Sequence, residues 1–205
     1  MHWETYEKKF KKISDQQNIS IEQMDLWLNY AKNLFDHNLP IIFDQTHLSM
    51  LLGIDNEYLH RICNAPEYFY RTFYIKKRNG KQRRIDEPLP DLKRVQSWIL
   101  NEILYKIPCS KFAKAYIPNT CIKDNTRFHK KQKIVMTVDL KNFFPSIRSG
   151  YILKLFLEYG YNLPTSVILT NLCCYKNRLP QGAPTSAYLS NLFMNRFDND
   201  ISDYC

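Results

Sequence analysis

An α+β fold is predicted for this chain of 205 residues, and three observations predict it. Most apolar residues recur at helical spacing. Two short runs rich in aromatic and β-branched residues flank Asn79-Gly80. One apolar run, Ile134 to Val138, stands between polar segments as an isolated strand. The order of helices, hairpin, helix, strand and helices groups the elements instead of alternating them, which separates this pattern from a βαβ repeat.

Taken in order, residues 1–37 read as two helices. "ETYEKKFKKI" is short and basic, and Ser20-Ile21-Glu22-Gln23 is a capping box opening the second. Met24, Leu28 and Ala31 then share one helical face. "THLSMLLGI" and "NEYLHRICN" read as two further short helices joined near Gly53-Ile54-Asp55. In "YRTFYIKKRNGKQRRIDEP", Asn-Gly between two extended runs is a strong hairpin signal, and Pro88 closes the second strand. Leu92, Val95, Ile99, Ile103 and Ile107 predict one helix running up to Pro108. "CIKDNTRFHKK" reads as a helix leading into the strand Ile134–Val138. "GYILKLFLEYG" and "PTSVILTNLCCY" read as amphipathic helices. The loop "KNRLPQGAPTS" precedes a last helix, "AYLSNLFMNRFDNDISDY".

Lys and Arg number 29 against 20 Asp and Glu, a net charge of +9. That excess favours an anionic partner, nucleic acid ahead of an acidic membrane surface. No run of 18 apolar residues exists, so no membrane span is expected. The first residues hold no apolar stretch of the signal-peptide kind, so a cytoplasmic location is expected. Six cysteines show neither CxxC pairs nor Cys/His metal spacing and read as reduced, mostly buried thiols.

Four pieces could carry chemistry. Asp139, at the end of the predicted strand in "IVMTVDLKNFFPSI", suits a hard cation, with the Leu140 carbonyl as a second oxygen. Phe144 could lie under a nucleotide sugar and exclude a 2′-hydroxyl; equally it could be a core residue. In "LPQGAPTSAYLSN", Gly182 lets backbone approach a ligand closely, Gln181 can donate and accept, and the following helix start could face an anion. The hairpin carries Lys76, Lys77, Arg78, Lys81, Arg83 and Arg84, able to fold over a triphosphate or to form a solvated edge.

In this order the four pieces resemble a reverse transcriptase. "VDLKNFFPSI" looks like the family's first palm motif and "LPQGAPTS" like its nucleotide-contacting motif. The resemblance runs from about Leu48 onward. It implies a right-hand polymerase fold: helical and hairpin fingers, with an incomplete antiparallel palm sheet packed on helices. Residues 1–45 would be a helical extension, 46–130 the fingers and 131–205 a partial palm. It also implies Asp139 as a catalytic Mg²⁺ ligand with Leu140, and Phe144 as the sugar gate. Gln181 and Gly182 would line the nucleotide pocket. Arg83 and one of Lys76 or Lys77 would contact the triphosphate.

Within the family, "LSMLLGIDNEYLHRI" and "YRTFYIKKRNGKQRRIDEPLPDLKRVQSWIL" are similar to bacterial retron enzymes. So is "NTRFH", with Asn125 and His129, although retron enzymes typically carry Asn-Ala where this chain has Asn125-Thr126. Retron membership implies a structured noncoding RNA as template and primer, its DNA product, dNTP substrates, an effector protein and a role in anti-phage defence. Lys81, Arg84, Asn125 and His129 are then expected to contact RNA. The family's Tyr-x-Asp-Asp motif does not occur in residues 1–205; Asp198, Asp200 and Asp203 continue a helical pattern. The metal-binding partners of Asp139 are therefore expected outside these residues, and residues 1–205 alone are expected to be inactive. A non-catalytic RNA-binding module is the competing expectation, and a structural docking subunit a third.

Overall fold

The computed structural model describes residues 2–77 and 80–203. The chain opens with α1 (Trp3–Gln16) and α2 (Ile21–Asp36), followed by α3 (Gln45–Leu52) and α4 (Asn56–Asn64). Side chains set several starts: Ser20, Asp44 and Asp55 accept from the backbone N–H groups of Gln23, His47 and Tyr58. Each satisfies one of the amides that a helix start leaves unpaired. Rings hold α1 on α2 and the chain after it, with Trp3 on Phe35 at 5.4 Å and Phe10 on Phe43 at 6.0 Å between centroids.

The hairpin forms as β1 (Tyr70–Lys76) and β2 (Gln82–Pro88), paired antiparallel from Tyr70↔Pro88 to Lys76↔Gln82. The predicted Asn-Gly turn falls partly on Arg78 and Asn79, outside the described residues; Gly80 has φ +80°. α5 (Pro90–Glu102) then buries Leu92, Val95 and Ile99. It stops sooner than the apolar spacing predicts, because Ile103 turns to φ −115° and a 3-10 turn, Leu104–Lys106, follows. Ile103 and Ile107 are buried all the same, so the spacing recorded burial rather than helix length.

"CIKDNTRFHKK" makes only a one-turn α6 (Ile122–Thr126) and a 3-10 turn, Arg127–His129. α7 (Phe143–Ser146) is a short turn, followed by α8 (Ser149–Glu158), α9 (Leu163–Cys173) and α10 (Ser186–Ser202). α9 is the hub, packing against α3, α4, α5 and α8. It is less amphipathic than predicted: Thr165, Ser166 and Thr170 are buried beside Leu169 and Leu172. Its hydroxyls are satisfied by backbone carbonyls, Thr165 on Ile42 at 3.2 Å and Thr170 on Ser166 at 2.7 Å. One continuous core runs from Leu34 through Leu59, Ile99 and Phe156 to Leu192.

The strand predicted at Ile134–Val138 is not one. This stretch has no ladder partner among the described residues, and its side chains face outward, with Ile134 87% and Met136 82% exposed. The expected palm sheet is accordingly absent among the described residues, whose one sheet is the two-stranded hairpin. The reason is nonlocal: an extended run becomes a strand only where another chain segment takes its N–H and C=O groups. Among the described residues no helix is long and apolar enough to cross a membrane. Cys63, Cys173 and Cys174 are buried free thiols as expected, while Cys121 is exposed.

Candidate active site

The site begins with the alternation of β1 and β2. Successive side chains on a strand point to opposite faces. The register therefore puts Tyr70, Thr72, Tyr74 and Lys76 on one face with Gln82, Arg84, Asp86 and Pro88. Arg71, Phe73, Ile75, Arg83, Ile85 and Glu87 share the other. Arg83 and Arg84, adjacent in sequence, are thus split between faces. Beyond the last ladder pair, Lys76↔Gln82, the Lys77 N–H still donates to the Lys81 carbonyl at 2.7 Å.

The Gln181–Gly182 loop docks on the free edge of β2. The Asp86 N–H donates to the Gln181 carbonyl at 2.8 Å. Gly182 has φ +126°, and a Cβ there would sit 3.0 Å from the Asp86 carbonyl oxygen and from Ile85 Cγ2. The close backbone approach predicted for this glycine is made to the hairpin. The loop is held from behind by a tight turn: Tyr175 and Arg178 exchange backbone bonds of 2.9 and 3.2 Å across Lys176 and Asn177, both at positive φ. The Leu179 N–H then donates to the Ile147 carbonyl at 3.1 Å, tying the loop to the end of α7. Lys-Asn at the turn centre was the available signal, since asparagine tolerates the left-handed region.

The start of α10 is packed into the molecule. Thr185 and Ser186 are buried, and the Ser186 N–H donates to Ala183. This is a packed loop-to-helix junction.

In the palm motif, Asp139 and Leu140 lie on the exposed, unpaired stretch. Asn142 takes φ +53° and starts α7, which carries both phenylalanines. Phe143 packs against the core cluster, whereas Phe144 is half-buried beside it, ring centroids 5.6 Å apart. Asn125, His129 and Lys81 are exposed. Beside Asn125, a polar cleft of about 570 Å³ is lined by Lys114, Asn119, Thr120, Asp124 and Arg127. The Cys121 N–H, 2.8 Å away, and then the Cys121 side chain hold the Asp124 carboxyl below its usual value.

One group escaped the sequence reading. Asp86 is 4% exposed, and its Oδ1 accepts from Thr72 Oγ1 at 2.7 Å and from Arg84 Nε at 2.9 Å and Nη2 at 2.8 Å. The hydrogen bond from Arg84 to Asp86 raises the guanidinium pKa further. The only signal in the sequence was an acidic residue inside a basic strand.

For a metal, Asp139 and the Leu140 carbonyl offer two oxygens. Among the described residues no three His, Cys, Asp or Glu side chains converge, so these residues alone do not fit a metal pair held by bridging carboxylates.

A family model described as reverse transcriptase (RNA-dependent DNA polymerase) matches residues 75–205. The Retron Ec86 reverse transcriptase of Escherichia coli is 33% identical over 168 residues, 81% of this chain and 52% of the relative. The Retron Mx162 reverse transcriptase of Myxococcus xanthus is 30% identical over 161 residues, covering 70% of this chain and 33% of that protein. The Retron Se72 reverse transcriptase of Salmonella heidelberg is 31% identical over 159 residues, covering 77% and 41%. The chain thus spans about half or less of the length of these relatives. The matched domain implies the right-hand polymerase fold.

Proposed function

The chain belongs to the reverse transcriptase family, and from that premise we propose that the complete protein is a retron-type RNA-directed DNA polymerase. A primer 3′-hydroxyl would attack the α-phosphate of a dNTP, on a structured noncoding RNA that serves as template and primer, in anti-phage defence with an effector protein. Residues 46–130 act as fingers and 131–205 as part of the palm. The observation that carries this reading is the Asp86–Gln181 backbone bond, which joins the basic hairpin to the Gln-Gly loop.

The register favours Lys77 over Lys76 as the partner of Arg83 at the triphosphate, because it puts Lys76 on the face opposite Arg83. Lysine supplies a point charge there and arginine a fork. Gln181 and Gly182 line the nucleotide pocket, and Phe144, outside the core, gates the 2′ position. Asp139 and the Leu140 carbonyl would be this chain's ligands to a Mg²⁺ that would supply charge neutralisation at the triphosphate, and residues 1–205 contain no Tyr-x-Asp-Asp to complete a pair. Lys81, Asn125 and His129 face the RNA backbone, where each phosphate contact adds salt dependence.

The test is primer extension by the complete protein with dNTPs and Mg²⁺, against Asp139→Ala. Asp139 is exposed and held by no core contact, so the variant should fold normally and lose DNA synthesis while keeping RNA affinity. Retained synthesis would sink the assignment. RNA binding without synthesis by either protein would favour the non-catalytic module.

A further inference from the structure

We propose that Asp86 is a positioning residue that sets nucleotide affinity by holding β2 against the Gln181–Gly182 loop. The proposal rests on the reading of that loop as part of the nucleotide pocket.

A buried carboxylate must be paired and hydrogen-bonded to be tolerated. Asp86 meets that condition entirely within the hairpin. Thr72 lies directly across the ladder from it, so the 2.7 Å hydroxyl bond cross-links the strands. Arg84, two residues away on the same face, folds back along the strand to reach Oδ1 through Nε and Nη2. That contact ties the Arg84 guanidinium to the hairpin.

The same residue works in a second direction. Its side chain ties the face of the ribbon, while its N–H ties the edge to Gln181 at 2.8 Å. Its carbonyl oxygen is one of the atoms against which Gly182 packs. A lone two-stranded ribbon is marginally stable in water. The seating of this one on the loop therefore depends on Asp86 staying in place. Arg83 projects from the opposite face, three residues from Asp86, and a tilt or slip of β2 moves it away from the loop. Such a displacement weakens nucleotide binding in the ground and transition states alike, which raises KM and leaves kcat nearly unchanged.

The experiment uses the complete protein with Asp86→Asn, Thr72→Val and, as a reference, Gln181→Ala, which keeps the backbone carbonyl that Asp86 uses. Two quantities are measured: steady-state dNTP kinetics, and hydrogen exchange over residues 82–88 and over α9. The expected result for Asp86→Asn is a KM for dNTP raised about tenfold with kcat within about twofold. Exchange should be faster at 82–88 and unchanged in α9. Unchanged KM and exchange overturn the proposal. A fall in kcat with faster exchange in α9 also overturns it, by showing a general loss of fold. If Asp86→Asn does not fold, Thr72→Val decides by the same criteria. A Gln181→Ala variant with unaltered KM removes the pocket reading and this proposal with it. Raised KM in Gln181→Ala beside unaltered KM in both hairpin variants removes this proposal alone.

Discussion

Tyr70 and Tyr175 stack with ring centroids 4.3 Å apart and planes 18° from parallel. Tyr70 opens the hairpin, and Tyr175 opens the turn behind the Gln-Gly loop, so this contact joins their bases. Gln96 completes it from α5: its Nε2 donates to the Tyr70 hydroxyl and to the Leu172 carbonyl, both at 2.8 Å, with the side chain fully buried. Gln96→Leu leaves that buried carbonyl without its donor and should cost about 1–3 kcal/mol. Urea unfolding reads this directly, and a loss below ~0.5 kcal/mol would show the bonds to be dispensable.

Gly182→Ala is expected to loosen the hairpin. The new Cβ would stand 3.0 Å from backbone oxygen and a methyl group, on a residue at φ +126°. Strain at such a position is worth about 1–3 kcal/mol. Part of it can be relieved by backing the loop away from β2. Faster exchange of the Asp86 amide, with a lower unfolding midpoint, is the predicted pair of changes; unaltered exchange would mean that the loop absorbs the methyl.

The neighbouring phenylalanines should separate cleanly. Phe143 packs on the core, so Phe143→Ala should cost stability, up to about 3 kcal/mol at its partial burial. Phe144 lies outside that cluster, and Phe144→Val should leave stability nearly intact. If Phe144 gates the sugar, the variant instead raises ribonucleotide use relative to deoxyribonucleotide by about tenfold or more. Competitive incorporation assays measure that ratio, and no change in it would remove the gate.

Alkaline pH should destabilise the fold through buried thiols. Burial pushes Cys63 and Cys173 up from the ordinary value of 9.0 to about 12. The folded state then holds protons that the unfolded chain releases. The stabilisation is fully present below about pH 9 and is lost as pH rises from there toward 12. Denaturant midpoints should be flat between neutrality and about pH 8.5, then fall, and fall less steeply in Cys63→Val. In the native protein a thiol reagent should modify exposed Cys121 while sparing Cys63, Cys173 and Cys174.

The start of α2 was legible to the residue, because a capping side chain meets an amide only three positions along, as Ser20 does with Gln23. The hairpin was legible for the same local reason. The family was legible in the motifs that hold Asp139, Phe144, Gln181 and Gly182, and its model matches residues 75–205. The rest was decided by partners distant along the chain. Ile134–Val138 has the composition of a strand but lacks a neighbour, so it lies exposed. Ile103 has the spacing of a helix, yet the core buries it beyond the end of α5. Asp86 reads as one charge among many until Thr72 and Arg84 enclose it. Capping and turn geometry depend on torsions and bonds within a few residues. Strand pairing and the burial of a charge depend on which remote segment arrives beside it, and only packing in three dimensions settles that.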